Sequence, residues 1–142
     1  MTLKDWQSNG WLKPHKATPK QIADLFAIVE RDLVAAQTED LTADWKFGIA
    51  YNAALKLCTV LLYTEGYRPE NQLAHFRTIA ALPLVLGPAR KADADYLEAC
   101  RVKRNKVEYD TIDQATPEQA AELVKFVVEL REDVKAWMKE KT

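Results

Sequence analysis

The chain is poor in the residues that make special chemistry or special backbone. Among 142 residues there are two Cys, two His, four Gly and six Pro, and the formal net charge is only −1. Two widely spaced cysteines, Cys58 and Cys100, both in apolar helical patterns, exclude a disulfide-stapled scaffold. They read as buried free thiols, which fits a reducing cytoplasm. Scattered His and Cys offer no zinc spacing, so no metal and no cofactor are expected. The few glycines form no phosphate-cradling loop, and no paired nucleophile and base is visible. With a pI of about 6.1, the protein as a whole is not a basic surface for nucleic acid, so any cationic site is local. No strand-like alternation bounded by turns is evident. The N-terminal MTLKDWQSNGWLKPHK has no continuous apolar core of the kind a signal peptide needs. The most apolar stretch, residues 47–63, is interrupted by Asn52 and Lys56 and is short of the roughly 20 residues that span a bilayer. It reads as a buried helix, with no membrane partner expected.

What is present is helical periodicity. Apolar residues make up 48% of the chain, enough for one domain with one core. The segments ATPKQIADLFAI (17–28) and ATPEQAAELVKF (115–126) echo each other. Both carry Thr-Pro, the pairing of an N-cap with a first helical residue, so the echo is capping chemistry and not a repeat. Five helices follow. The first, 19–38, has Ile22, Leu25, Phe26, Val29 and Leu33 on one stripe. The second, 42–65, is apolar on nearly all sides and ends at Gly66. After a turn at YRPEN, the third covers 70–82 with Leu73, Phe76 and Ile79, and Pro83 kinks or ends it. The fourth spans 89–107. The fifth, 117–139, shows Leu123, Phe126, Val127, Leu130, Val134 and Trp137. The fold class is all-α, an up-and-down bundle over residues 18–142. Residues 1–17 form an arm, pinned by Trp6 and Trp11 because indoles are costly to leave in water.

The stretch CRVKRNKVEYD (100–110) carries the functional question. On a wheel at about 100° per residue, Leu97, Cys100, Arg104 and Val107 share a stripe, flanked by Arg101 and Glu108. Arg104 therefore points toward the core and needs a partner. In one reading it pairs with Glu108, four residues on, with Asn52 or Tyr51 of the second helix adding hydrogen bonds, and is structural. In the other, Arg101 and Arg104 point into a cleft where Asn105 and Tyr109 add polar groups and a phosphate binds. Asn52 and Lys56 share a face of the second helix with Trp45, Thr59 and Tyr63. That face is either a partly solvated stripe or the opposite wall of the cleft. His75 is structural or exposed unless the third helix lines the cleft, where it would supply a base. His15, in the arm, is expected to be solvated.

The same segment resembles the motif region of HEPN domains, small helical bundles found with nucleotidyltransferases and in RNA-cleaving toxins. Arg104 and Asn105 match the Arg-polar opening of that motif. The wider order also resembles the family over about residues 20–140: a long apolar helix ending EGYRP, then HFRTIAALPLVLG, then YLEACRVKRNKVEYD, then an amphipathic helix. The resemblance implies a homodimer with a composite cleft, a possible nucleotidyltransferase partner, and nucleotide or RNA as ligand in a toxin–antitoxin or nucleotide-stress setting. Where the family has His, this chain has Tyr109. A phenol with a reference pKa of about 10 is a poor proton shuttle near neutrality beside imidazole at about 6.5. General acid–base catalysis is worth roughly 10²–10⁴ in rate. Arg104 and Tyr109 are catalytic only if cleavage persists. Some relatives carry a modifiable Tyr two residues after that His, and Thr111 stands there. Three readings stay open: a nucleotide- or RNA-phosphate-binding bundle, a metal-independent ribonuclease with Tyr in place of His, and a non-catalytic interaction bundle.

Overall fold

Threonines set the helix starts. Thr18 and Thr116 each accept a hydrogen bond from the backbone N–H three residues on, and Gln21 and Gln119 answer with bonds to the cap backbone. Thr42 caps the central helix through the Trp45 N–H. The computed structural model describes residues 1–109 and 114–141; of residues 107–109 it describes the helical backbone and not the side chains. The elements are α1 (Leu3–Ser8), β1 (Leu12–Pro14), α2 (Pro19–Ala36), α3 (Ala43–Thr64), β2 (Tyr67–Pro69), α4 (Ala74–Ala80), α5 (Leu82–Leu86), a 3₁₀ turn (Pro88–Arg90), α6 (Lys91–Tyr109) and α7 (Pro117–Lys141). With 76% helix and 4% strand, the architecture is all-α.

The hub is α3. It packs against α2, α7, α6, α4 and α5, and residues from Phe47 to Leu62 are buried on nearly all its sides. By length and composition α3 could cross a membrane, but 61% of its apolar window is buried inside the fold. Its 22 residues fall within the expected 42–65, and Thr42 caps its start. From α7, Leu123, Val127, Leu130 and Val134 enter the same core. Each such side chain contributes about 1.5–3 kcal/mol of burial. Arg90 ties the 3₁₀ turn to α7 through Asp133 at 2.7 Å. The Ala115 N–H donates to Asp44 at 2.9 Å, joining the start of α7 to that of α3.

Three expectations are corrected. There is a strand pair: β1 and β2 run antiparallel in the register Leu12↔Pro69, Lys13↔Arg68, Pro14↔Tyr67. Three residues are too few for alternation to show, and each strand ends in Pro, which a ribbon edge tolerates. The third helix starts at Ala74, not at residue 70, because Leu73 is left-handed (φ 56°) and 61% exposed, so it joins no stripe. His15 is half-buried with its ring 4.5 Å from that of Tyr63. The arm itself docks as a satellite core of Trp6, Leu12, Leu62 and Ala81, with Trp11 edge-on to Trp6 at 5.8 Å. Pro83 does divide the segment, since α4 stops at Ala80 and α5 starts at Leu82.

Candidate functional site

The side chains singled out on α6 meet residues of α3 and α4 in one corner. Leu97 and Cys100 are buried in the core, and Arg104, one and two turns further along that stripe, is half-buried. Its guanidinium carbon stands 5.5 Å from the centre of the Tyr51 ring, within cation–π range. Arg101, three residues earlier, forms an ion pair with Glu98 on the outer flank of the same helix. Asn105 lies seven residues after Glu98, hence on that flank, and is half-buried. Lys103 points elsewhere and donates to the Gln114 carbonyl at 3.0 Å. Tyr109 and Glu108 lie outside the described side chains, and Thr111 lies outside the described residues.

Electrostatics define the corner's reach. The His75 imidazole, on α4, is held below its ordinary value by partial desolvation and then by the charges of Arg104, Lys56 and Arg101. Those three cations therefore converge on one histidine. The Tyr51 hydroxyl is driven well above the usual phenol range by burial, with Arg101 and Arg104 opposing and Glu98 adding. It stays protonated at neutral pH. The Tyr51 hydroxyl and Glu98 Oε2 are buried and have no hydrogen-bond partner among the described residues.

Asn52 is not part of this corner's free chemistry. Its amide donates at 2.7 Å to Asp32, a carboxylate 6% exposed on α2 that also pairs with Arg31 at 3.0 Å. Asn52 thereby holds the α2–α3 seam. Lys56, one turn on, is half-buried and acts on His75. Trp45, expected on the same wall, is 67% exposed. Both thiols are buried and free, and burial pushes Cys58 up to about 12 and Cys100 up to about 11. They remain protonated at neutral pH and are neither nucleophiles nor ligands. Among the described residues there is no group of three or more His, Cys, Asp or Glu that could hold a metal ion.

Glu98 is the residue that sequence reasoning missed, although its i,i+3 spacing to Arg101 is a visible signal. His75 had no local signal for its place, since only the packing of α4 on α6 brings it to the arginines. A separate open groove of about 730 Å³ runs between α2, α3 and α7, lined by Ala36, Leu41, Ala120, Val124 and Val128 with Lys46 and Lys125 at its edge. Glu39 and Glu129 stand with these lysines in its lining, so its charges are mixed in sign.

Comparison of the chain with protein-family models, with curated proteins and with solved structures gives no match.

Proposed function

We propose that this protein is a HEPN-like bundle that binds the phosphate of a nucleotide or an RNA at the corner formed by α3, α4 and α6. The observation that carries the reading is the convergence of Lys56, Arg101 and Arg104 around His75, in a chain whose net charge is −1. Of the three cations, Arg101 pairs with Glu98. Two of them are arginines, whose planar donors match phosphate oxygens. Asn105 sits on the flank of α6 that carries Arg101, in keeping with the Arg-polar motif. The reading includes a homodimer and a setting beside a nucleotidyltransferase or in a toxin–antitoxin or nucleotide-stress module.

The placement of His75 favours a second reading as a metal-independent ribonuclease. An imidazole kept neutral among cations can take a proton from a ribose hydroxyl, a task for which Tyr109 is poorly suited.

The test is a titration of wild type and Arg104→Ala with mononucleotides and short RNA at one fixed salt concentration, beside thermal unfolding of both. A binding Arg104 predicts an affinity loss of about tenfold or more on truncation, larger in proportion than the change in melting temperature. A collapse in melting temperature, with no ligand bound by wild type, would make Arg104 an internal clamp.

A further inference from the structure

We propose that the cavity between the arm and the segment leading into α4 binds a small organic monocarboxylate, with Arg77 taking the carboxylate and Leu73 the apolar body. This is a second site, independent of the phosphate-binding reading. The cavity has a volume of about 560 Å³, and Trp11, Glu70, Leu73 and Arg77 are among the residues that line it. Small-molecule sites commonly run from about 300 to about 1,000 Å³. The guanidinium carbon of half-buried Arg77 stands 3.9 Å from the centre of the Trp11 ring and 5.6 Å from that of Phe76. Among the described residues Arg77 forms no ion pair and no side-chain hydrogen bond. None of its nitrogens is sealed from solvent, so its donors remain open. Glu70 lines the same cavity, yet its ion pair is with Lys13, at 3.9 Å.

An arginine stacked on a ring uses only its face. Its N–H bonds lie in the guanidinium plane, so the edge still presents a fork that a carboxylate meets with two parallel hydrogen bonds. Arg77 thus holds the arm with its face and keeps its edge for a ligand. Glu70 sets the charge of that ligand. Arg77 and Glu70 are the one cation and the one anion in the cavity lining. A single negative charge is balanced by Arg77, whereas the second charge of a phosphate monoester would be repelled by Glu70. Leu73 sets the rest of the ligand. Its φ of 56° is a left-handed conformation that is costly for a leucine, and its side chain is 61% exposed. Strain and exposure at one residue bring it no burial in the free protein, yet they put an apolar surface in the wall of a cavity that also holds a charged fork. A carboxylate with an aryl or short alkyl body covers both.

The test is calorimetric titration of the full chain with phenylacetate and with phenylacetamide, its neutral counterpart of nearly the same shape. Phenylacetate should bind about tenfold more tightly, the effect of charge-assisted hydrogen bonds. Phenyl phosphate should not displace it. Arg77→Lys keeps the charge and loses the fork, and should weaken phenylacetate binding about tenfold. Leu73→Asn installs a residue that enters the left-handed region readily, so the melting temperature should rise while phenylacetate affinity falls. A leucine with a purely structural role would not give those opposite changes. Equal binding of acid and amide, or no binding of either at millimolar concentration, overturns the proposal and leaves the phosphate reading untouched. Displacement by phenyl phosphate also overturns it, since the carboxylate would then sit at the arginines of α6. So does an acid preference that persists unchanged in both variants. The wild-type titrations and Leu73→Asn decide the question even if Arg77→Lys loses the arm.

Discussion

Two arginines in this protein lie over aromatic rings, and the contrast between them separates a clamp on the arm from the proposed phosphate site. Arg77 stands 3.9 Å from the Trp11 ring, beside an indole pair that docks the arm. Arg104 stands 5.5 Å from the Tyr51 ring, and with Arg101 and Lys56 it acts on His75. The first geometry is close and local, and its cation–π attraction serves to hold residues 1–14 on the bundle. The second is looser, sits among like charges, and leaves a buried donor and a buried acceptor unmet. Helix α4 serves both regions, with Arg77 turned to the arm and His75, two residues away on the opposite face, turned to the corner. Close ring contact marks the docked arm, whereas several cations acting on one histidine mark the corner.

Breaking the arm side should give the largest change in stability. Trp6 is buried at its centre, and Trp6→Ala should cost about 3 kcal/mol, lowering the melting temperature by about 10 °C. Nucleotide affinity of the folded fraction should hold, and loss of affinity in the same proportion would show that the two regions are coupled. A smaller effect is expected from Arg77→Ala, about 1 kcal/mol for a partly desolvated cation–π contact. Unfolding and titration together make the comparison with Arg104→Ala direct: Arg77 should move stability and not nucleotide affinity, and Arg104 should move nucleotide affinity in larger proportion than stability. If both variants behave alike, the distinction between clamp and site is lost.

The smallest effect concerns pH. The folded His75 value lies below the ordinary one, so the unfolded chain takes up the proton first as pH falls. Its contribution to stability is therefore complete above about 6.5 and is lost as pH falls through the lower, folded value. His75→Gln should flatten part of the decline in melting temperature between about pH 7.5 and about pH 5.5. A bound phosphate should offset the three cations and reduce the wild-type decline in the same window. Superimposable profiles for wild type and His75→Gln would show that the corner's charge is not felt at His75.

Much of the helical frame was legible because it follows from local rules. Thr-Pro pairs marked the starts of α2 and α7, Gly66 the end of α3, and Pro83 the break between α4 and α5. Stripes at helical spacing identified the buried face of α7 down to Val134. The β1–β2 ribbon was not legible, because a three-residue pairing across more than fifty positions leaves no periodic trace in either segment. Leu73 misled because an apolar residue at the right spacing was excluded from the helix by its backbone conformation, which spacing does not report.

The candidate site divides the same way. The sequence by itself determined that Arg101, Arg104 and Asn105 lie together on one helix and that Arg104 follows the buried stripe, since 3.6 residues per turn allows nothing else. It also determined that both thiols are buried within helices. Only the tertiary structure decided that Asn52 holds Asp32 across the α2–α3 seam, that Tyr51 lies beneath Arg104, and that Lys56, Arg101 and Arg104 act on His75. The reason is physical: which neighbour a side chain meets depends on how α2, α4 and α6 pack around α3, and that arrangement is set by the whole core at once, not by the spacing along any one helix.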